Sequence, residues 1–133
     1  MHPDPQSLAE IPLLASLTPE ELEVVARWSE LRAAADGDRV TGEDAPGYTF
    51  FLLLEGTASV AQDGVEIRTI GPGDFFGEAA ILGDGRRTAS VTTTSPATLV
   101  ALFGTEFRRL ERELPEVAER IRAALAERLA RSA

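Results

Sequence analysis

The residues whose types and spacing could do chemistry fall in one stretch, Phe76-Gly77-Glu78-Ala79-Ala80-Ile81-Leu82-Gly83-Asp84-Gly85-Arg86-Arg87-Thr88-Ala89-Ser90-Val91. It reads as a glycine approach, a short helix, a glycine-rich loop and an arginine entering a strand. The first amides of a helix have no earlier carbonyl to bond, and such N–H groups bind anions. Gly77 lets the backbone come close to a ligand with no side chain in the way. Arg87 follows a loop that could fold it back over the same spot, and its guanidinium is a planar fork suited to two phosphate oxygens. Glu78 accepts hydrogen bonds and suits a sugar hydroxyl, and Thr88 places a hydroxyl beside Arg87. Each residue also has a plainer role. Arg87 can pair with a surface carboxylate, Glu78 can favour the helix dipole, the glycines can serve turns, and Thr88 is a good strand former.

The rest of the composition excludes most other chemistry. The chain has no cysteine, which removes disulfides, thiolate metal sites and cysteine nucleophiles together. Its one histidine is His2, so zinc hydrolases and serine–histidine triads lack their parts. Paired carboxylates have no supporting motif, and the expectation is a binding module with no catalytic residue, metal or cofactor. The net charge is −9, from 22 acidic and 13 basic residues, which argues against nucleic acid and anionic membrane as partners. All 13 basic residues are arginine. An anionic ligand would therefore be held locally, against an unfavourable overall field.

The elements around that stretch are legible from patterning, and 133 residues fit one domain. Thr18-Pro19-Glu20-Glu21 reads as an N-cap, a proline at the first helical position and the glutamate of a capping box. Leu17 and Leu22 form its hydrophobic staple, and the helix is expected over about 19–29. Across about 31–103 the chain turns to short strands, with β-rich runs at Tyr48–Leu54, Thr57–Ala61, Val65–Ile70, Thr88–Thr94 and Thr98–Phe103. Asp63-Gly64 between two of them signals a two-residue hairpin. The Ala-rich Gly77–Leu82 interrupts the strands as one helical turn or two. Two helices close the chain over about 105–131. The first is capped by Thr105, with a break at Leu114 before Pro115. Val117, Ile121, Leu125 and Leu129 step by four along the last helix, a stripe that serves either a core or the seam of a homodimer. Glu116–Arg120 and Glu127–Arg131 are i,i+4 pairs on its wet side. No signal peptide or membrane span is visible, so a soluble cytoplasmic protein is expected. No helix-turn-helix follows the last helix, so DNA reading is not expected.

The stretch from Phe76 to Val91 resembles the cyclic nucleotide-binding domain family of catabolite-activator-like factors, cyclic-nucleotide-dependent kinases and cyclic-nucleotide-gated channels. The family pattern is F-G-E, an apolar residue, Ala, two apolar residues, a short turn, then Arg, a small residue and Ala. Gly37-Asp38, the Gly42–Gly47 turn, Leu54-Glu55-Gly56, Gly71-Pro72-Gly73-Asp74 and Leu114-Pro115-Glu116 look like that family too, over roughly Ile11 to Leu129. The resemblance implies a mainly β fold: an antiparallel β-roll, jelly-roll-like, with an N-terminal helix, a short phosphate-binding helix and two C-terminal helices. It implies a ligand, cAMP or cGMP, with Arg87 clamping the cyclic phosphate and Glu78 accepting from the ribose 2′-hydroxyl. Gly77, Ala79 and Ala80 would contribute backbone, and Thr88 a hydroxyl to phosphate or base. The family often carries proline before the clamp arginine, where this chain has Arg86. The general bacterial look of the chain leans the reading to cAMP. The competing reading is a degenerate domain of the same fold, acting as a protein-interaction or dimerisation scaffold without nucleotide.

Overall fold

The computed structural model describes residues 1–41, 49–82 and 89–132. Helices come first: α1 (Pro5–Ala9), a 3-10 turn (Pro12–Leu14) and α2 (Pro19–Arg27). Strands follow: β1 (Glu30–Ala34), β2 (Arg39–Thr41), β3 (Thr49–Glu55), β4 (Ala58–Gln62), β5 (Val65–Ile70) and β6 (Phe75–Phe76). After the short α3 (Ala79–Leu82) come β7 (Ser90–Thr93), β8 (Ala97–Phe103), α4 (Gly104–Glu113) and α5 (Pro115–Ser132).

The strands form two four-stranded antiparallel sheets, ordered β1-β8-β3-β6 and β2-β7-β4-β5. This is the expected mainly β roll with flanking helices, although the sheets do not close into a barrel. Between the sheets lie Phe51, Leu53, Val60, Ile70, Phe76, Val91, Leu99 and Ala101. The opposite face of the first sheet carries Phe50, Leu52, Val100 and Leu102 into a second core, filled by helical Leu22, Val25, Phe107, Leu110, Ile121 and Leu125. Strands β3 and β8 are therefore covered on both faces, and their sequences, TFFLLLE and ATLVALF, run almost unbroken in apolar residues for that reason.

Several local expectations are met atom by atom. Thr18 Oγ1 accepts from the Glu21 N–H at 3.2 Å and Glu21 Oε1 from the Thr18 N–H at 2.9 Å, the complete capping box. Leu17 and Leu22 are both buried in the helical core. At the β4–β5 hairpin Asp63 has φ +53° and Gly64 φ +78°, the paired left-handed geometry of a type I′ turn. Gly56 has φ +92°, and a Cβ there would stand 2.4 Å from the Pro96 carbonyl oxygen. No other residue fits.

The differences have physical reasons. The helix expected to Ser29 stops at Arg27, because Glu30 is already paired with Ala101 of β8. Thr105 does not cap α4, which begins at Gly104 directly out of β8, with Phe103 in the cap position and no side-chain hydrogen bond there. The break at Leu114 is present, with φ −138° and ψ 66°, outside the helical region that a following proline disfavours. Arg120 does not pair with Glu116; it reaches Glu21 Oε2 at 2.6 Å, fastening α5 to the start of α2. The side chain of Arg131 lies outside the described residues, as does the Gly42–Gly47 turn. The stripe Val117, Ile121 and Leu125 is buried in this chain's own core, with Leu129 packed at its margin. No helix among the described residues is long and apolar enough to cross a membrane.

Candidate functional site

Construction of the site begins at β6. Its two residues pair with β3, Phe76 opposite Phe51 and Phe75 opposite Leu52. The rings of Phe51 and Phe76 stack with centroids 5.0 Å apart, and those of Phe50 and Phe75 meet tilted at 5.8 Å. Phe76 is buried between the sheets, so the chain leaves it from a fixed point. Gly77 then has φ +79°, a left-handed turn that a Cβ would strain. Glu78 follows, half-buried, and its carbonyl accepts from the N–H groups of Ile81 at 3.0 Å and Leu82 at 2.9 Å. That closes α3. Ile81 turns into the helical core, 1% exposed, and pins the far side of the turn.

The geometry brings four of the six expected residues together. Gly77 makes the turn, Glu78 stands at the mouth of α3, and the backbone of Ala79 and Ala80 forms its first turn. The amides of a first helical turn have no partner in the helical ladder and point outward along the axis. Arg87 and Thr88 lie outside the described residues, as do Arg86, Gly83 and Gly85. The chain re-enters at Ala89 and Ser90, where β7 pairs with β4 and Ser90 Oγ accepts from Arg39 Nη2 at 2.9 Å.

One further arginine touches this turn, and nothing in its local sequence marks that contact. Arg108 of α4 donates from Nη1 and Nη2 to the Ile81 carbonyl, both at 3.4 Å, and from Nη1 to Glu111 Oε1 at 2.8 Å. The i,i+3 spacing of Arg108 and Glu111 is visible in the sequence; the reach to α3 is not, because it depends on how the two helices pack. Its neighbour Arg109 lies over the Trp28 ring, 4.7 Å from the centroid, and bonds Glu113 at 2.6 Å. The hydrogen bond and charge of Glu113 raise the Arg109 pKa above its usual value.

Comparison with known proteins places this geometry. Residues 31–113, more than half of the chain, match the family model for the cyclic nucleotide-binding domain. The cAMP-dependent protein kinase regulatory subunit of Hypocrea atroviridis is 39% identical over 103 residues, which cover 77% of this chain and 22% of that subunit. The cyclic AMP receptor protein of Thermus thermophilus is 32% identical over 123 residues, 89% of this chain and 57% of the receptor. The chain thus spans about a fifth to a third of the kinase subunits it matches. Among solved structures, the N-terminal domain of a transcriptional regulator from Streptomyces coelicolor superposes with a TM-score of 0.80 at 28% identity, covering 95% of this chain and 94% of that one. By fold and by sequence alike, this chain belongs to the cyclic nucleotide-binding domain family.

Proposed function

We propose that the chain acts as a single regulatory domain that senses a cyclic nucleotide and takes cAMP in preference to cGMP. The cyclic phosphate docks on the amides of Ala79 and Ala80 and on the guanidinium of Arg87, with Gly77 admitting the ligand to the backbone. Glu78 accepts from the ribose 2′-hydroxyl, and the Thr88 hydroxyl reaches phosphate or base. Binding draws α3 inward, and α5 repacks over the β-roll. The observation that most supports this reading is the left-handed turn at Gly77, which sets Glu78 and the opening amides of α3 side by side at the end of an anchored strand. The preference for cAMP is supported by relatives named for that nucleotide.

A thermal-shift and calorimetry panel with cAMP, cGMP and 5′-AMP tests it. A micromolar ligand at a thousandfold excess adds about 4 kcal/mol of stability. We expect the largest shift with cAMP, a smaller one with cGMP and none with 5′-AMP. Arg87→Ala is expected to weaken cAMP at least about tenfold, since a charge-assisted arginine–phosphate bond contributes about 1.5–3 kcal/mol. No shift with any nucleotide would leave the scaffold reading in its place.

A further inference from the structure

We infer that Arg108 is a positioning residue that couples the ligand-facing turn to the C-terminal helices, an inference that rests on the reading of α3 given above. Its guanidinium holds the Ile81 carbonyl in the single turn of α3, where the carbonyls have no following helical N–H to accept from. The same side chain holds Glu111. The other oxygen of Glu111 accepts from Arg122 of α5, and Arg122 continues to Glu119 at 3.0 Å. One carboxylate is thereby shared between arginines of two helices, and one of those arginines also holds the third. Phe107 sits beneath, 0% exposed, with the guanidinium carbons of Arg108 and Arg122 each 5.6 Å from its ring centre.

The arrangement suits a relay better than a brace. The side chains of Arg108, Glu111 and Arg122 are 40%, 29% and 33% exposed, so solvent screens their contribution to stability. Their geometry, however, follows the position of α3. Ile81 is embedded in the same core cluster as Phe107 and Ile121, so an inward step of α3 shifts its carbonyl against the guanidinium of Arg108. A ligand moves an equilibrium only through contacts that differ between two arrangements. This bond is such a contact, because it is made by backbone of the ligand turn and by a side chain of α4.

The molecule carries its own reporter. Trp28, the one tryptophan of the chain, lies under Arg109, the residue next to Arg108. A displacement of α4 changes that stack and with it the tryptophan emission. The test is a cAMP titration of the full chain, read by calorimetry for binding and by tryptophan emission for α4, with circular dichroism to establish folding. Wild type is expected to show both signals. Arg108→Ala is expected to bind about fivefold more weakly and, at saturation, to lose at least half of the emission change. Glu111→Gln, which unpins the guanidinium without removing it, is expected to bind within about twofold of wild type and to lose a smaller part, and it decides the matter should Arg108→Ala not fold. Arg112→Ala removes the same charge from the same helix and is expected to alter neither signal. Folded variants that keep the full emission change overturn the relay, as does a wild type that binds cAMP with silent emission; both leave the proposed function standing. A folded Arg108→Ala that no longer binds at all overturns the positioning role in favour of a direct contact. A wild type silent in calorimetry overturns the reading of α3, and the relay with it.

Discussion

At the scale of single residues, two glycines have left-handed backbone that other side chains rarely adopt, and for different ends. Gly56 lies where a Cβ would intrude on the Pro96 carbonyl and the Ala97 side chain, so its role is to let β3 turn into β4 beneath the start of β8. Gly56→Ala is expected to destabilise the fold by roughly 2 kcal/mol or more, from the left-handed backbone and the clash together, as measured by urea unfolding. Gly77 shares the left-handed backbone but sits beside the candidate ligand site. For Gly77→Ala we expect a strain of about 1–2 kcal/mol and a cAMP affinity lower by about tenfold, read by calorimetry. A variant that unfolds early yet binds cAMP with wild-type affinity would separate that turn from the ligand. Both positions stand out in the sequence because glycine in a strand-to-turn junction is a local signal. The pairing of Glu21 with Arg120 does not, since 99 residues separate the partners and only the packed helices bring them together.

Among elements, legibility followed how much of each one's stabilisation is local. The capping box of α2 and the Asp63-Gly64 turn are written in four and two consecutive residues, and both form as their residues require. Strand β6 has two residues and exists only because β3 lies beside it, so nothing in Phe75-Phe76 alone announces it. Strand β1 reads ELRAA, a helix-favouring composition, and is made a strand by its pairing with β8. Helix α1 is five residues long, too short for an apolar period to announce it, although Asp4 caps it by accepting from the Gln6 N–H at 2.9 Å and Pro5 opens it. Of the candidate site, the sequence names the contiguous turn Gly77 to Ala80 and also Arg87 and Thr88, which lie outside the described residues, while the contact of Arg108 with that turn is hidden because its partner is a carbonyl of another element. Glu21 belongs to both kinds of information, one oxygen capping its own helix and the other holding α5. Thr18→Ala is expected to cost about 1 kcal/mol through the lost cap, and Glu21→Ala more, because it also releases Arg120. Arg120→Ala removes only the ion pair, with Arg120 40% and Glu21 14% exposed, and should cost less than Glu21→Ala, which also loses the cap. An Arg120→Ala variant less stable than Glu21→Ala in urea unfolding would contradict this ordering.

Over the whole molecule, the layers run helices, sheet, sheet, and the middle layer is the one both cores share. The last helix belongs to the outermost of these layers, yet Leu125 is 0% exposed and Ile121 2%. Leu125→Ala is therefore expected to destabilise by about 2–5 kcal/mol in urea unfolding, whereas Leu129→Ala, at the margin of the core, should cost clearly less. Equal losses would mean that the outer end of α5 is as firmly seated as its middle. Strands β3 and β8, apolar on both faces and bonded to each other from Thr49–Phe103 to Leu53–Leu99, have a mechanical consequence. Such a slab has no free surface on which to yield, so deformation is confined to what hangs from it: the two-residue β6 with its following turn on one rim, and the helical layer on one face. In deuterium exchange the amides of Phe50–Leu53 and Leu99–Leu102 should be the last to open, and nucleotide should change protection around Gly77–Leu82 and along α4 and α5 while leaving them alone. On the proposed function, ligand binding would then be felt in the trim of this keel and not in the keel itself.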